Sequence, residues 1–344
     1  MKILLIKLGA LGDVLRTTPL LTALKQKHPD CHITWVVDAA HRDVLEHNAL
    51  IDALLDYSEE TVLALKKKTF DIAVNLDKET EATGLLAVTN ASKKMGFSQD
   101  GLGRLCAADP LSDYAYRLGM DDELKFQKNK KSYQQISFEQ LGMRFHGEEY
   151  VFSVDEASDA QAADYLKKIG IKTENLPRPV IGLNTGSGAR FAGKKLPMES
   201  YVKLAEKFHR ELNACIFLLG GPDEQDRNLL IQRKAACPVV NTGSHPIRRF
   251  AALVKTCDLV VTGDTTALHI AVAVKTRVLV YFASTCAQEI ELYGRGRKIA
   301  SDISCAPCYK KICPIDEQCM KDMSIEQIFN EAKILLGEHA TRLS

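Results

Sequence analysis

The chain contains no run of the roughly 18 to 20 apolar residues that a bilayer span requires. Its opening apolar stretch, Ile3 to Ile6, has the length of a strand and not of a signal-peptide core. Charge of either sign is not in excess. Forty-five Lys plus Arg stand against 44 Asp plus Glu, a net charge of +1. A strongly basic nucleic-acid binder is thereby excluded, and an anionic partner must be held by local basic groups. The Gly-x-Gly-x-x-Gly fingerprint of dinucleotide-binding folds is missing, as is the Lys-Ser/Thr of a phosphate-binding P-loop. A nicotinamide oxidoreductase is disfavoured on that ground. These absences describe a cytoplasmic protein, one that could still touch the inner face of a membrane.

What is present is a long α/β pattern. The 344 residues are ample for two domains, and 46% hydrophobic residues supply their cores. Apolar strands such as Lys2 to Ile6, Ile33 to Val37 and Asp71 to Leu76 alternate with helical patterns such as Glu59 to Lys67. Near-continuous apolar strands separated by helices predict a parallel sheet covered on both faces. Regularity fades from Met95 to Ser132, a candidate binding region. The polar, proline-bearing segment from Gly170 to Pro179 is the candidate linker. Alternation then restarts at Val180 and runs through Val278 to Tyr281. The expected division is an N-terminal domain over 1–170, a C-terminal domain over 171–324 and a final helical segment over 325–344.

Four loops follow strand ends and carry chemistry. Gly9-Ala10-Leu11-Gly12-Asp13 turns a strand into a helix. Asp13 is either a helix cap or a proton acceptor, and spacing does not choose between them. Gly263-Asp264-Thr265-Thr266 leads to His269 at a helix start, where amide N–H groups and hydroxyls can hold phosphate. The bland alternative is an N-cap with a core histidine. Thr185-Gly186-Ser187, followed by Lys194, could wrap and neutralise a diphosphate, or could be a solvated loop. Asp223 and Glu224 after Gly220-Gly221 could meet a nucleoside or only favour a helix start. Three such loops in one half point to one nucleotide-sized ligand.

Basic residues Lys125 and Lys128 lie in the irregular region, with Gly12 in the opening loop. They are the candidates for an anionic acceptor facing Asp13, with solvated charge as the alternative. Among ten cysteines, Cys305, Cys308, Cys313 and Cys319 cluster late in the chain. They could bind zinc or iron–sulfur, or serve as free thiols or a disulfide.

These residues together resemble glycosyltransferase family nine, the lipopolysaccharide heptosyltransferases. The resemblance rests on Lys2 to Lys7 with Gly12-Asp13-Val14-Leu15-Arg16-Thr17-Thr18-Pro19, on Lys194 to Pro197, on Gly220-Gly221-Pro222, and on Gly263-Asp264-Thr265 with His269. The late Cys-x-Pro-Cys, Cys-Pro and Cys-Met run is also similar to many members. The resemblance implies a GT-B fold, two doubly wound Rossmann-like domains facing across a cleft, with the last helix packing back toward the first domain. It implies an inverting, metal-independent transfer of heptose from ADP-heptose to a lipid A–core acceptor, with no cofactor. The implied base is Asp13, the donor-phosphate lysine Lys194, and the donor-binding set Asp264, Thr265 and His269. The acidic nucleoside contact falls near Asp223 or Glu224. Thr266 stands where a glycine is usual, Leu196 where tryptophan is usual, and Phe282-Ala283-Ser284-Thr285-Cys286 where Phe-Gly-Pro-Thr is common. These departures bear on the donor sugar. Two other readings fit the same loops: a nucleotide-sugar epimerase, and a non-catalytic sugar-nucleotide binding protein.

Overall fold

The structure is a computed structural model and describes residues 1–188, 191 and 193–340. The chain divides into two units, each built on one six-stranded sheet.

The first unit comprises Met1–Phe152 and the short segment Gln288–Glu291. Its strands are β1 (Lys2–Ile6), β2 (His32–Val37), β3 (Ala53–Asp56), β4 (Thr69–Asn75), β5 (Asn90–Gln99) and β6 (Leu105–Ala107). They lie in the order β3-β2-β1-β4-β5-β6. All pairs are parallel except β5 with β6. Ile3 to Ile6 are buried throughout, as a strand covered on both faces must be. Leu4, Ile6, Val36 and Phe70 form one core with Leu85 and Leu86 of the helix Thr80–Val88. Two strands escape the sequence pattern. β3 is only half-buried, and β5 begins with exposed polar residues, so neither shows an apolar run. The stretch from Met95 to Ser132 is also more regular than expected, since it holds the β5–β6 hairpin and short helical turns.

The second unit runs from Ser153 to Ala287 and resumes at Leu292. Its strands are β7 (Val180–Asn184), β8 (Cys215–Leu219), β9 (Val239–Asn241), β10 (Leu259–Gly263), β11 (Arg277–Phe282) and β12 (Gly296–Ala300). They are all parallel, in the order β12-β11-β10-β7-β8-β9. The helix Met198–Leu212 places Tyr201, Leu204, Ala205 and Phe208 on one buried face, the three-and-four spacing of an amphipathic helix. It stops at Asn213, whose left-handed backbone (φ 51°) closes the last turn.

The division falls after Phe152, earlier than the expected boundary at 170. The reason is the helix Glu156–Lys168. It buries Ala162 and Leu166 and packs on the helix Ile247–Thr256. Lys255 pairs with Asp159 at 2.7 Å, and Arg249 donates to Gln161 at 2.7 Å. The proline-bearing segment is therefore a loop within the second unit. The final helix, Ile325–Ala340, was expected to pack back toward the first domain. Its Ile328, Phe329 and Ala332 join the core of the second unit, beside Phe208 and β11. Residues 341–344 of the expected segment lie outside the described residues. No helix among the described residues is long and apolar enough to cross a membrane.

Both sheets turn over in the same way. The chain enters at β1 or β7, winds outward on one side, and restarts beside its first strand at β4 or β10. The carboxyl ends of β1 with β4, and of β7 with β10, are thus topological switch points. Open α/β sheets bind ligands in the crevice such a reversal leaves.

Candidate active site

At the β1/β4 switch point the opening loop is held by charge. Lys7 Nζ donates to Asp77 Oδ1 at 2.7 Å. The other carboxylate oxygen of Asp77 accepts from the N–H groups of Leu8 (2.7 Å) and Gly9 (3.2 Å). Asp77 itself is fixed from β4. Its N–H donates to Asn75 Oδ1 at 2.9 Å, and Asn75 Nδ2 donates to the carbonyls of Asp77 and Phe97. The side chains of Lys7 and Asp77 are only 6% and 10% exposed. Burial alone would lower the Lys7 pKa, but Tyr133, Asp77 and Asp13 outweigh it, so Lys7 stays an ammonium.

This anchored loop delivers Asp13 into the first turn of the helix Leu11–Thr17. Asp13 Oδ2 accepts from Ala10 N–H at 3.3 Å, and Oδ1 lies 2.7 Å from Arg16 Nη2. The Arg16 guanidinium stacks 3.9 Å from the Tyr133 ring centroid. Tyr133 in turn shares a 2.8 Å hydrogen bond with Thr17. Asp13 thus reaches back toward the helix start as a cap would, and its carboxylate is also aimed by a cation that is itself stacked in place.

At the β7/β10 switch point the loops are held by neutral groups. Asn184 Nδ2, at the end of β7, donates to Thr262 Oγ1 (3.0 Å), Thr265 Oγ1 (3.2 Å) and the Gly186 carbonyl (2.9 Å). Gly263 allows the main chain of Lys194 to lie against the end of β10. A Cβ at Gly263 would sit 2.2 Å from the Lys194 carbonyl oxygen. That approach leaves Lys194 Nζ 3.5 Å from Asp264 Oδ2. His269, buried in the helix Thr266–Ala273, has Nε2 3.9 Å from Asp264 Oδ1. The loop's far end is tied down by Leu196, whose N–H donates to Tyr201 OH and whose carbonyl accepts from Arg227. Tyr201 and Tyr281 share a 2.7 Å hydrogen bond. Burial raises both phenols, so they remain neutral.

The expected residues separate into two groups. Lys194, Asp264, Thr265, Thr266, His269 and Gly186 gather at one sheet edge. Glu224 joins them: its carboxylate fills the space a Cβ on Gly186 would need, 2.5 Å away, and accepts from Gly221 N–H at 2.9 Å. Ser187 stands one residue on, and Asp223 is exposed. Thr185 is turned inward. It is fully buried, and its hydroxyl donates to Asn228 Oδ1 at 2.5 Å, so it packs the loop rather than facing its mouth. Gly12 is inside the helix that carries Asp13. Lys125 is half-buried, whereas Lys128 is exposed and paired with Glu123 at 2.9 Å. The four late cysteines are free thiols, from exposed Cys305 to buried Cys319. Among the described residues no set of three or more His, Cys, Asp or Glu is placed to hold a metal ion.

Lys7, Asn75, Asp77 and Arg16 were not singled out as site residues from sequence. The available signal was position: Asp77 stands two residues past the end of the strand that the first strand must neighbour after a reversal.

The sequence matches the family description "Glycosyltransferase family 9 (heptosyltransferase)" over residues 61–318. That span includes every donor-edge residue above and begins after Asp13. No curated protein sequence matches. Among solved structures, a glycosyltransferase family 9 protein of Veillonella parvula superposes with a TM-score of 0.77 at 21% identity, covering 98% of this chain and 97% of that one. E. coli ADP-heptose LPS heptosyltransferase II gives 0.71 at 16% identity over 99% and 100% of the two chains. E. coli heptosyltransferase WaaC, solved with ADP, gives 0.63 at 15% identity over 98% and 99%. The fold is that of GT-B enzymes, and the chain belongs to glycosyltransferase family 9, the heptosyltransferase family, as a glycosyltransferase.

Proposed function

We propose that the enzyme transfers a heptose from ADP-heptose, with inversion and without a metal, to a hydroxyl of the lipopolysaccharide inner core, and that Asp13 is the general base. The observation that carries this reading is the placement of Asp13. It stands at a sheet switch point on a loop anchored by a buried ion pair, with its carboxylate oriented by Arg16. Structural strength spent on aiming one carboxylate is hard to explain by helix capping alone.

In the proposed step Asp13 takes the proton of the acceptor hydroxyl. The hydroxyl oxygen attacks the anomeric carbon of the heptose from the face opposite the diphosphate. The carbon–oxygen bond to the diphosphate breaks, and ADP leaves with both electrons of that bond. Negative charge grows on the leaving phosphate. Lys194, the Thr265 and Ser187 hydroxyls and the amides that open the helix Thr266–Ala273 are the groups suited to stabilise it. Asp264 and His269 would fix the donor sugar and phosphate, and Glu224 or Asp223 the nucleoside. ADP-heptose is favoured as donor because similar structures are named for it or hold its analogue. A lipid-anchored acceptor would be met at the cytoplasmic face of the membrane.

The deciding test is Asp13→Asn assayed with ADP-heptose and lipid A–core acceptors. Transfer should fall about 10²- to 10⁴-fold, the usual worth of a positioned base. Donor binding by calorimetry should be unchanged. Transfer at the wild-type rate would overturn the assignment. Release of free heptose or an epimerised donor without any acceptor would favour an epimerase instead.

A further inference from the structure

The late cysteine run has no part in the proposed transfer step, yet its chain lies against the donor loop. Gly193, the residue before Lys194, has a left-handed backbone (φ 65°). A Cβ there would stand 3.3 Å from Cys319 Sγ and 3.8 Å from Ser284 Cβ. Ser284 Oγ donates to the Gly193 carbonyl at 3.3 Å. Ser284 is held in turn from the cysteine run. Its carbonyl accepts from the N–H groups of Tyr309 (2.8 Å) and Cys308 (3.2 Å). Tyr309 OH accepts from Cys286 N–H at 3.1 Å, and the Tyr309 ring meets Phe191 edge-on, with centroids 5.3 Å apart. Ser284 and Cys319 are both buried, and all of these residues belong to the second unit.

The main chain beside Lys194 is thus held on both sides. Downstream, Leu196 is tied to Tyr201 and Arg227. Upstream, Gly193 is tied to Ser284 and packed against Cys319. A lysine is a costly choice for a fixed charge, because its long stem loses rotamer freedom when the ammonium is held in one place. A backbone already fixed at both ends lowers the ordering that a ligand must still impose.

We propose that Ser284 and Cys319 are positioning residues for Lys194, holding Gly193 so that the ammonium stands where the donor diphosphate binds. The inference rests on the reading of this edge as the donor side, and it adds the residues that place its cation. Both act through the Gly193 main chain. Glycine suits that point twice over: it adopts the left-handed turn without strain, and it leaves room for the sulfur.

The test is a set of double-mutant cycles read by calorimetry, with ADP and adenosine as probes. Lys194→Ala should weaken ADP by about tenfold or more, the usual worth of a charged hydrogen bond. It should hardly change adenosine, which has no phosphate. Ser284→Ala should weaken ADP about 3- to 10-fold, the loss of one hydrogen bond, and again spare adenosine. In the Lys194→Ala enzyme the same Ser284→Ala change should have no further effect, because its target is gone. Gly193→Ala presses a methyl on Cys319 and strains the turn, so it should weaken ADP more than Ser284→Ala does. Adding Cys319→Ala should recover part of that loss by removing the sulfur the methyl meets. Absence of recovery would overturn the role given to Cys319. Unchanged ADP affinity in Ser284→Ala, an additive loss in the double variant, or equal weakening of ADP and adenosine would overturn the role given to Ser284. A merely structural defect would not tell the two ligands apart. If Lys194→Ala itself bound ADP as the wild type does, the donor-side reading would fail and the inference with it, so the two failures give different results.

Discussion

At the β1/β4 edge the loop is held by a buried ion pair, whereas at the β7/β10 edge the strand ends are joined by an amide and hydroxyls, with Arg227 and Glu224 each holding a main-chain group nearby. Lys7, Asp77, Asp13 and Arg16 carry formal charge. Asn184, Thr262, Thr265, Tyr201 and Tyr281 carry none. The difference fits the roles proposed for the two edges. A proton acceptor must keep a charged carboxylate aimed, and only other charges and hydrogen bonds can do that in a partly dry site. A donor edge that meets a diphosphate needs donors already in place, and fixed dipoles supply them. The cation it does carry, Lys194, is set there by close main-chain contact with Gly263 and not by burial of an ion pair.

This contrast can be broken in steps. Loss of the Asp13 carboxylate, tested above, is the largest expected effect on transfer. Next, Asp77→Ala leaves Lys7 buried without its partner and frees two loop amides. It should cost about 3–5 kcal/mol by denaturant titration, the usual penalty for half a buried pair. A cost below about 1 kcal/mol would mean that charge does not hold this loop. Gly263→Ala attacks the other edge. The new methyl cannot share space with the Lys194 carbonyl, so the donor loop must move. ADP binding should weaken by about tenfold or more with a stability loss of about 1–3 kcal/mol. Unchanged ADP affinity would show that the loop position is immaterial to the donor.

Thr185→Val separates packing from binding. It removes the bond to Asn228 and should cost about 1–2 kcal/mol of stability. ADP affinity should stay the same, because the hydroxyl faces inward. The smallest effect is expected from Lys128→Ala. Its pair with Glu123 is exposed and screened by solvent, so stability by denaturant titration should be unchanged, and acceptor KM should not move. A large rise in KM would restore Lys128 to the acceptor site.

Much of this was legible in the chain. β1 and β7 are apolar runs bounded by glycine loops, so strand, turn and helix could be read from local pattern. The Gly-Asp-Thr-Thr segment stood out because polar residues rarely separate two apolar elements without a task. Other features were not legible, for physical reasons. β3 is only four residues long and half-buried at the sheet edge, and β5 opens with polar residues, so neither carries the long apolar run of the central strands. Thr185 and Ser187 look alike in sequence, and only the neighbouring Asn228 makes one of them a packing residue. The helix Glu156–Lys168 reads the same whichever unit it joins, since its partner is a helix almost a hundred residues on.

The opening glycine loop shows the same division. Sequence alone determined that a carboxylate would follow a strand at a sheet's carboxyl edge, because hydrophobic period and turn chemistry are local. It could not decide whether Asp13 caps a helix or waits for a proton. That depends on what surrounds the loop, and Asp77, distant in the chain, reaches the Asp13 loop only through the pairing of β1 with β4. Charge interactions act through space, so the electrostatic surroundings of Asp13 were set by tertiary structure, after the backbone pattern had fixed where the edge would be.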